Sequence, residues 1–252
     1  MGDRMMSFGW VDAASTNQAA AKEFYSKLFG WKPEDQPLPD GGFYTTFTMD
    51  GKQVAGLGQA FPGMPSVWTS YVMVEDADAI AAKAKDLDGQ LMMAPMDVMD
   101  VGRMAMISDP TGAPFGIWQG KTHHGAEISG VHGSLSWNEL ATRGVEKALP
   151  FYGQLFGWSW KETPMGPDLT YHVADLGGKQ IAGAMNMTEQ WPADLPPHWN
   201  VYFQVDDADA SASAIKDLGG NVIDGPIDVP DVGRMYYAAD PTGATFFVMK
   251  NA

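Results

Sequence analysis

Apolar and polar positions along this chain fall into short segments, and the spacing inside each segment predicts an element. Phe8–Asp12 reads as a short strand. Thr16–Phe29 is Ala-rich, sets Phe24, Leu28 and Phe29 on one face and stops at Gly30, so it reads as a helix. Phe43–Met49 alternates and runs into Asp50-Gly51, a hairpin signal, with Gln53–Gln59 as partner strand. The first half has the order strand–helix–strand–strand–strand, and two of its last three strands can be placed. Val67–Val74 opens the same order again. Asp76–Leu87 is an Ala-rich helix followed by Asp88-Gly89, Leu91–Met93 starts a strand, Arg103–Ser108 forms another, and Pro114–Gln119 ends the set. Asp109-Pro110-Thr111-Gly112 turns the chain between the last two strands.

The whole pattern then recurs. Trp10-Val11-Asp12 matches Trp137-Asn138-Glu139, Phe24-Tyr25 matches Phe151-Tyr152, Leu28–Trp31 matches Leu155–Trp158, and Gln53–Gly56 matches Gln180–Gly183, all at an offset of 127. Asp100–Met104 matches Asp231–Met235 and Asp109–Ala113 matches Asp240–Ala244 at an offset of 131. The four extra residues fall in Pro-rich stretches, Gln59–Pro65 against Met187–Pro197, so the insertion sits in a loop. So many matching words in one order define an internal duplication. Residues 1–120 form one module, 121–130 a Gly-rich linker and 131–252 the second. The linker histidines His123 and His124 read as solvated and inert.

Composition narrows the functional classes. The 252 residues carry a formal net charge of −15, which argues against nucleic acid and anionic membranes as partners. There is no cysteine, so thiolate metal sites, disulfides and Cys nucleophiles are excluded. The start, MGDRMMSFGW, lacks the apolar run of a secretion signal, and no segment is long and apolar enough to span a bilayer. A cytoplasmic protein is expected, monomer or homodimer. The 17 methionines fit gap-filling in a core or the lining of an adaptable pocket.

Paired βαβββ units carrying Phe-Tyr…Leu-Phe-Gly-Trp, Val-x-Asp-Ala-Asp and Asp-Pro-x-Gly-Ala, each present twice, resemble the vicinal oxygen chelate (glyoxalase/bleomycin resistance/dioxygenase) superfamily. The Asp-Val-Gly-Arg-Met word is similar to its two-domain branch, often labelled hydroxylases or glyoxalase-like proteins. The resemblance covers nearly the whole chain. It implies an α+β fold, a tandem duplication with four βαβββ units forming two curved half-barrel sheets, each around a cleft. It also implies a divalent ion held by His and Glu from both units of a module. Carried over by position, those ligands fall on Trp10 and Trp137 of the first strand, Thr69 and Asn200 of the fifth, and Gly116 and Phe247 of the last. A fourth falls within Val54–Gly58 or Ile181–Met185, which hold no acid. Indole, phenyl and glycine offer no lone pair to such an ion. The expectation is therefore no metal and no cofactor.

Strand side chains alternate between faces, so residues two along from those positions share the cleft. The candidate ligand-binding residues are Trp10, Thr69, Tyr71 and Trp118 in the first module and Trp137, Asn200, Tyr202, Phe247 and Met249 in the second. Asp12 and Glu139 are the candidate catalytic carboxylates, and the repeat that carries Glu139 also brings His172 as a catalytic candidate. A carboxylate among rings loses hydration and is expected to titrate high. Tyr71 and Tyr202 are candidate proton donors. Arg103 is expected to pair with Asp100 or Asp97, and Arg234 with Asp231 or Asp228, a clamp on a substrate carboxylate being the sharper reading. Asp109 and Asp240 read as turn formers. These features favour a protein that binds a small aromatic or cationic metabolite or drug in aromatic clefts. The alternative is a glyoxalase-like lyase or a hydroxylase- or dioxygenase-like enzyme using carboxylate acid–base chemistry on a small oxygenated metabolite. A third reading has one module binding and the other supporting it.

Overall fold

The structure, a computed structural model, describes residues 5–39, 41–165 and 169–252. Residues 1–4, part of the start read above as lacking a secretion signal, lie outside the described residues. The first repeat runs β1 (Phe8–Ser15), α1 (Gln18–Phe29), β2 (Lys32–Pro37), β3 (Phe43–Met49), β4 (Lys52–Gln59), β5 (Val67–Met73), α2 (Ala77–Asp86), β6 (Gln90–Val98), β7 (Gly102–Ser108) and β8 (Pro114–Gly120). The second repeats it as β9 (Leu135–Thr142), α3 (Val145–Phe156), β10 (Ser159–Pro164), β11 (Thr170–Leu176), β12 (Lys179–Asn186), β13 (His198–Gln204), α4 (Ala208–Asp217), β14 (Asn221–Val229), β15 (Gly233–Ala239) and β16 (Thr245–Asn251). The fold is α+β, two tandem modules built on two mixed eight-stranded sheets that do not close. Their orders are β2-β3-β4-β1-β5-β8-β7-β6 and β10-β11-β12-β9-β13-β16-β15-β14.

Local chemistry explains most boundaries. Helix α1 begins two residues later than Thr16 because the Asn17 side chain accepts from Ala20 N at 3.2 Å and caps it. It ends where Gly30 turns left-handed at φ 71°. Asp76 and Asp207 cap α2 and α4 in the same way. Asp50 and Gly51, at φ 51° and 74°, form the tight turn that joins β3 to β4. The strand that could not be placed is β2, Lys-Pro-Glu-Asp-Gln-Pro. All six residues are exposed at the edge of the sheet, so no apolar alternation marks it. The insertion does lie in a loop, between β12 and β13, where the Arg143 guanidinium donates to the carbonyls of Pro192 and Leu195 at 2.7 and 3.0 Å. No helix among the described residues is long and apolar enough to cross a membrane.

The chain packs as two compact units, each drawn from both repeats. The first contains the chain up to Trp10, Ser70–Gly125 and Trp137–Asn200; the second contains Val11–Thr69, Ala126–Ser136 and Val201–Ala252. In the first, Ile80 and Ala84 of α2 share a core with Ile107, Phe115 and Ile117 and with Tyr152, Leu155 and Phe156 of α3. In the second, Phe24, Tyr25 and Leu28 of α1 share one with Phe47, Leu57, Ile215, Phe246 and Val248. Each core holds one polar chain. Trp199 Nε1 donates to the Tyr152 hydroxyl at 2.8 Å, which donates to Asp109 Oδ2 at 3.0 Å. In the second unit Trp68, Tyr25 and Asp240 repeat this at 2.8 and 3.0 Å. The other oxygen of each aspartate accepts from the turn that follows: Thr111 N and Ala113 N, or Thr242 N and Ala244 N. Asp109 and Asp240 are thus structural, and the tyrosine of each Phe-Tyr word is bound to the Asp-Pro-Thr-Gly turn of the other repeat.

Candidate functional site

The polar centre of the second repeat lies on β9, β11 and β12, within the first compact unit. Trp137 Nε1 donates to the Tyr171 hydroxyl at 2.9 Å. That hydroxyl donates in turn to the carboxylate of Glu139. Glu139 is 8% exposed and lies opposite Gly183 in the parallel β9–β12 ladder. A β-carbon at Gly183 would overlap the Tyr171 phenol and come within 2.9 Å of Trp137 Nε1, so the missing side chain is what admits the phenol. The first repeat builds the same pair in the second unit: the Tyr44 hydroxyl donates to Asp12 Oδ2 at 3.2 Å, and Gly56, opposite Asp12, is covered by the Tyr44 ring.

Tyr44 and Tyr171 were not among the candidates from sequence. They obey the 127-residue offset, as Asp12 and Glu139 do, and that shared offset was the signal available. Burial first, and then the charge of Glu139, hold the Tyr171 phenol well above the ordinary tyrosine range. Tyr25 and Tyr152 are raised by burial and by Asp240 and Asp109. A raised phenol favours the neutral folded form, so its stabilisation is in place below about pH 10 and is lost as pH rises beyond it. In an alkaline titration followed at 295 nm, Tyr171→Phe should lower only the absorbance that appears when the chain unfolds. Loss of a group that titrates reversibly near pH 10 would contradict this burial.

The remaining candidates divide by place. In the first unit, Trp10 and Trp118 are buried, and the His123 ring packs edge-on against both, at 4.3 and 5.5 Å between centroids. The His123 carbonyl also accepts from Trp118 Nε1 at 2.9 Å. His123 is therefore a built part of this wall, a correction to its reading as an inert linker residue. Composition suggested solvent, and backbone bonding to Val101 through His123 N and Lys121 N fixes the linker instead. The Tyr71 ring lies across Gly116, its partner in the β5–β8 ladder. Asn200 is 5% exposed, and its Nδ2 has no hydrogen-bond partner among the described residues. His172 is buried, with Nδ1 unpartnered among the described residues, on the same side of β11 as the core residue Ala174 and hence opposite Tyr171. The structure does not bring it together with Glu139. In the second unit, Tyr202 stacks on Phe247 at 4.2 Å and 8°, with Tyr237 on the other side of that ladder at 4.7 Å from Phe247. Met249 is buried beside them and Thr69 is half-buried on β5. Arg103 forks onto Asp78 at 2.6 and 2.8 Å and reaches Asp97 at 3.4 Å; Arg234 pairs with Asp209 and Asp228. The expected partners Asp97 and Asp228 are present, and the strongest partners come from the first turns of α2 and α4. Both guanidinium groups are engaged by acids of the chain itself.

The family's divalent ion can be tested against these donors. Its positions are taken by two indoles, Thr69, Asn200, Gly116 and Phe247, and by the acid-free stretches Val54–Gly58 and Ile181–Met185 of the fourth strands, with the Tyr44 and Tyr171 rings packed over Gly56 and Gly183 and the Tyr71 ring over Gly116. Among the described residues no group of three or more His, Cys, Asp or Glu gathers. This donor set does not fit the ion.

The sequence and the fold match known proteins along most of the chain. The Glyoxalase/Bleomycin resistance protein/Dioxygenase superfamily matches residues 7–117 and 134–248, and the chain belongs to this superfamily. It is 42% identical over 248 residues to CFP32 of Mycobacterium tuberculosis, named as a glyoxylase, covering 96% of this chain and 94% of that protein. It is 38% identical over 256 residues to the anthracycline biosynthesis protein DnrV of Streptomyces peucetius, covering 96% and 92%. Among solved structures it is similar to a Mn(II)-bound glyoxalase from Novosphingobium aromaticivorans, with TM-score 0.67, 16% identity and coverage of 98% of this chain and 82% of that one. The 2,3-dioxygenase LapB from Pseudomonas sp. KL28 gives TM-score 0.67 at 15% identity, covering 98% and 92%. At such identities the structural likeness establishes the fold, and one fold hosts many chemistries.

Proposed function

We propose that the chain binds a small planar aromatic ligand on the face of the second repeat that carries Trp137, Glu139, Tyr171 and Asn200, without the divalent ion of its superfamily. The observation that carries this reading is the Trp137–Tyr171–Glu139 chain over Gly183, which sets an indole at a carried-over chelating position and joins a phenol and an acid to it. Apolar walls with a few convergent polar groups are the common form of a small-molecule site. The name of the Streptomyces peucetius relative, which ties it to anthracycline biosynthesis, favours a ring ligand. The second repeat is preferred because in the first the rings of Trp10 and Trp118 are covered by His123. Among the described residues no ring stacks on Trp137, which is only half-buried.

A second reading is favoured by the phenol–carboxylate pair itself. Glu139 could take a proton from a bound substrate while Tyr171, held protonated, keeps its hydrogen bond to that carboxylate, as in a lyase or hydroxylase-like reaction. Glu139→Gln separates the readings, since binding survives it in the first and turnover is lost in the second. Quenching of tryptophan emission by 2-acetylnaphthalene tests the site. Trp137→Phe should weaken or abolish the response and Trp10→Phe should leave it in place. The opposite pattern would move the site to the first repeat, and equal effects would end the preference between them.

A further inference from the structure

One buried donor on this face has nothing to bind. Asn200 Nδ2 is shut off from solvent and makes no hydrogen bond among the described residues, whereas more than about 90% of buried polar groups in folded proteins are paired. Its orientation follows from its neighbours. Trp199 is in the core of the first unit, donating to Tyr152, and Val201 lies in the other core, so the side chain of Asn200 takes the opposite face of β13. On β9, the next strand in the sheet, Leu140 is in the core and Asn138 bonds Ser70, so Trp137 and Glu139 take that same opposite face. The other donors there are spent within the protein: Trp137 Nε1 on Tyr171, and the Tyr171 hydroxyl on Glu139.

Resting on the ligand-binding reading above, we propose that Asn200 selects the ligand, and that it does so by donating to a carbonyl oxygen borne on the aromatic ring system. A neutral carbonyl fits better than a carboxylate, because the carboxylate of Glu139 on the same face repels an anion. The first repeat has Thr69 at the corresponding place, at the 131-residue offset, and so lacks the amide.

Three probes of similar shape test this: 2-acetylnaphthalene, with a carbonyl; 2-isopropenylnaphthalene, without oxygen; and 2-naphthoate, an anion. Binding to the full chain is followed by tryptophan emission and by calorimetry. The ketone should bind about tenfold or more tightly than the hydrocarbon, the worth of one well-placed hydrogen bond, and more tightly than the naphthoate. Asn200→Leu should close the gap by weakening the ketone alone. Asn200→Asp, of the same shape and without the donor, should do the same and guards against a misfolded leucine variant. Equal binding of ketone and hydrocarbon, or a gap that survives both substitutions, would overturn the role of Asn200 and leave ring binding standing. Tighter binding of the naphthoate would replace the carbonyl by an acid. Failure of all three probes to bind would overturn the binding reading and this inference with it.

Discussion

Gly183→Ala is expected to abolish ligand binding at the second repeat and to destabilise the chain by about 1–3 kcal/mol, the range for forcing extra volume into a packed site. The added methyl overlaps the phenol oxygen of Tyr171 and stands 2.9 Å from Trp137 Nε1. The phenol can only leave by breaking its bonds to Trp137 and Glu139 together. Tyr171 is half-buried and tied at its hydroxyl to both Trp137 and Glu139, so it has no costless rotation available. Thermal melting and ketone titration measure the two effects. The pair Tyr171→Ala with Gly183→Ala should recover part of the lost stability, because the methyl then fills space instead of clashing, a non-additivity typical of touching residues. Unchanged melting and binding in Gly183→Ala would mean that the phenol does not sit over this glycine.

Asp240→Ala is expected to cost more, about 3–5 kcal/mol, because it strands several buried donors at once. Asp240 is 3% exposed and accepts from Tyr25 Oη, Thr242 N, Thr242 Oγ1 and Ala244 N. Alanine leaves all four without their partner, and the turn that β16 depends on loses its organiser. Asp240→Asn keeps one acceptor oxygen and should lose roughly half as much or less. Asp109→Ala, the equivalent in the first unit, should behave alike. Urea unfolding supplies the comparison, and a loss below about 1 kcal/mol for either alanine would show that the turn is held by other means.

The periodic pattern revealed the elements well, for reasons visible in particular residues. The Gly30 stop and the Asp50-Gly51 hairpin depend on local chemistry that adjacent residues carry, and the duplication shows as matching words at fixed offsets. Strand β2 escaped because its six exposed residues, two of them prolines, have no buried face to alternate with. Alternation also placed Trp137 and Glu139 on one face and Asn200 and Tyr202 on another strand's, but it cannot say which phenol meets which acid. That depends on ladder register, in which Gly183 stands opposite Glu139 and leaves room for Tyr171. His172 is a candidate only because the same repeat carries it, and the parity of β11 puts it on the other side of that strand from Tyr171. The composition of the linker suggested solvent, while the edge-on packing of His123 against Trp10 is a long-range contact with no local signature. Arg103 and Arg234 found acids one turn into a helix more than twenty residues away in sequence, beyond the reach of a local reading.

Purified chain equilibrated with excess Mn²⁺, Fe²⁺, Ni²⁺ or Zn²⁺, dialysed and analysed for metal content, meets the central claim most directly. Glycine, indole and phenyl at the chelating positions predict far less than one ion retained per chain, with ketone binding unaltered by a chelator. One tightly held ion per chain, released when Glu139 or Asp12 is replaced, would contradict it.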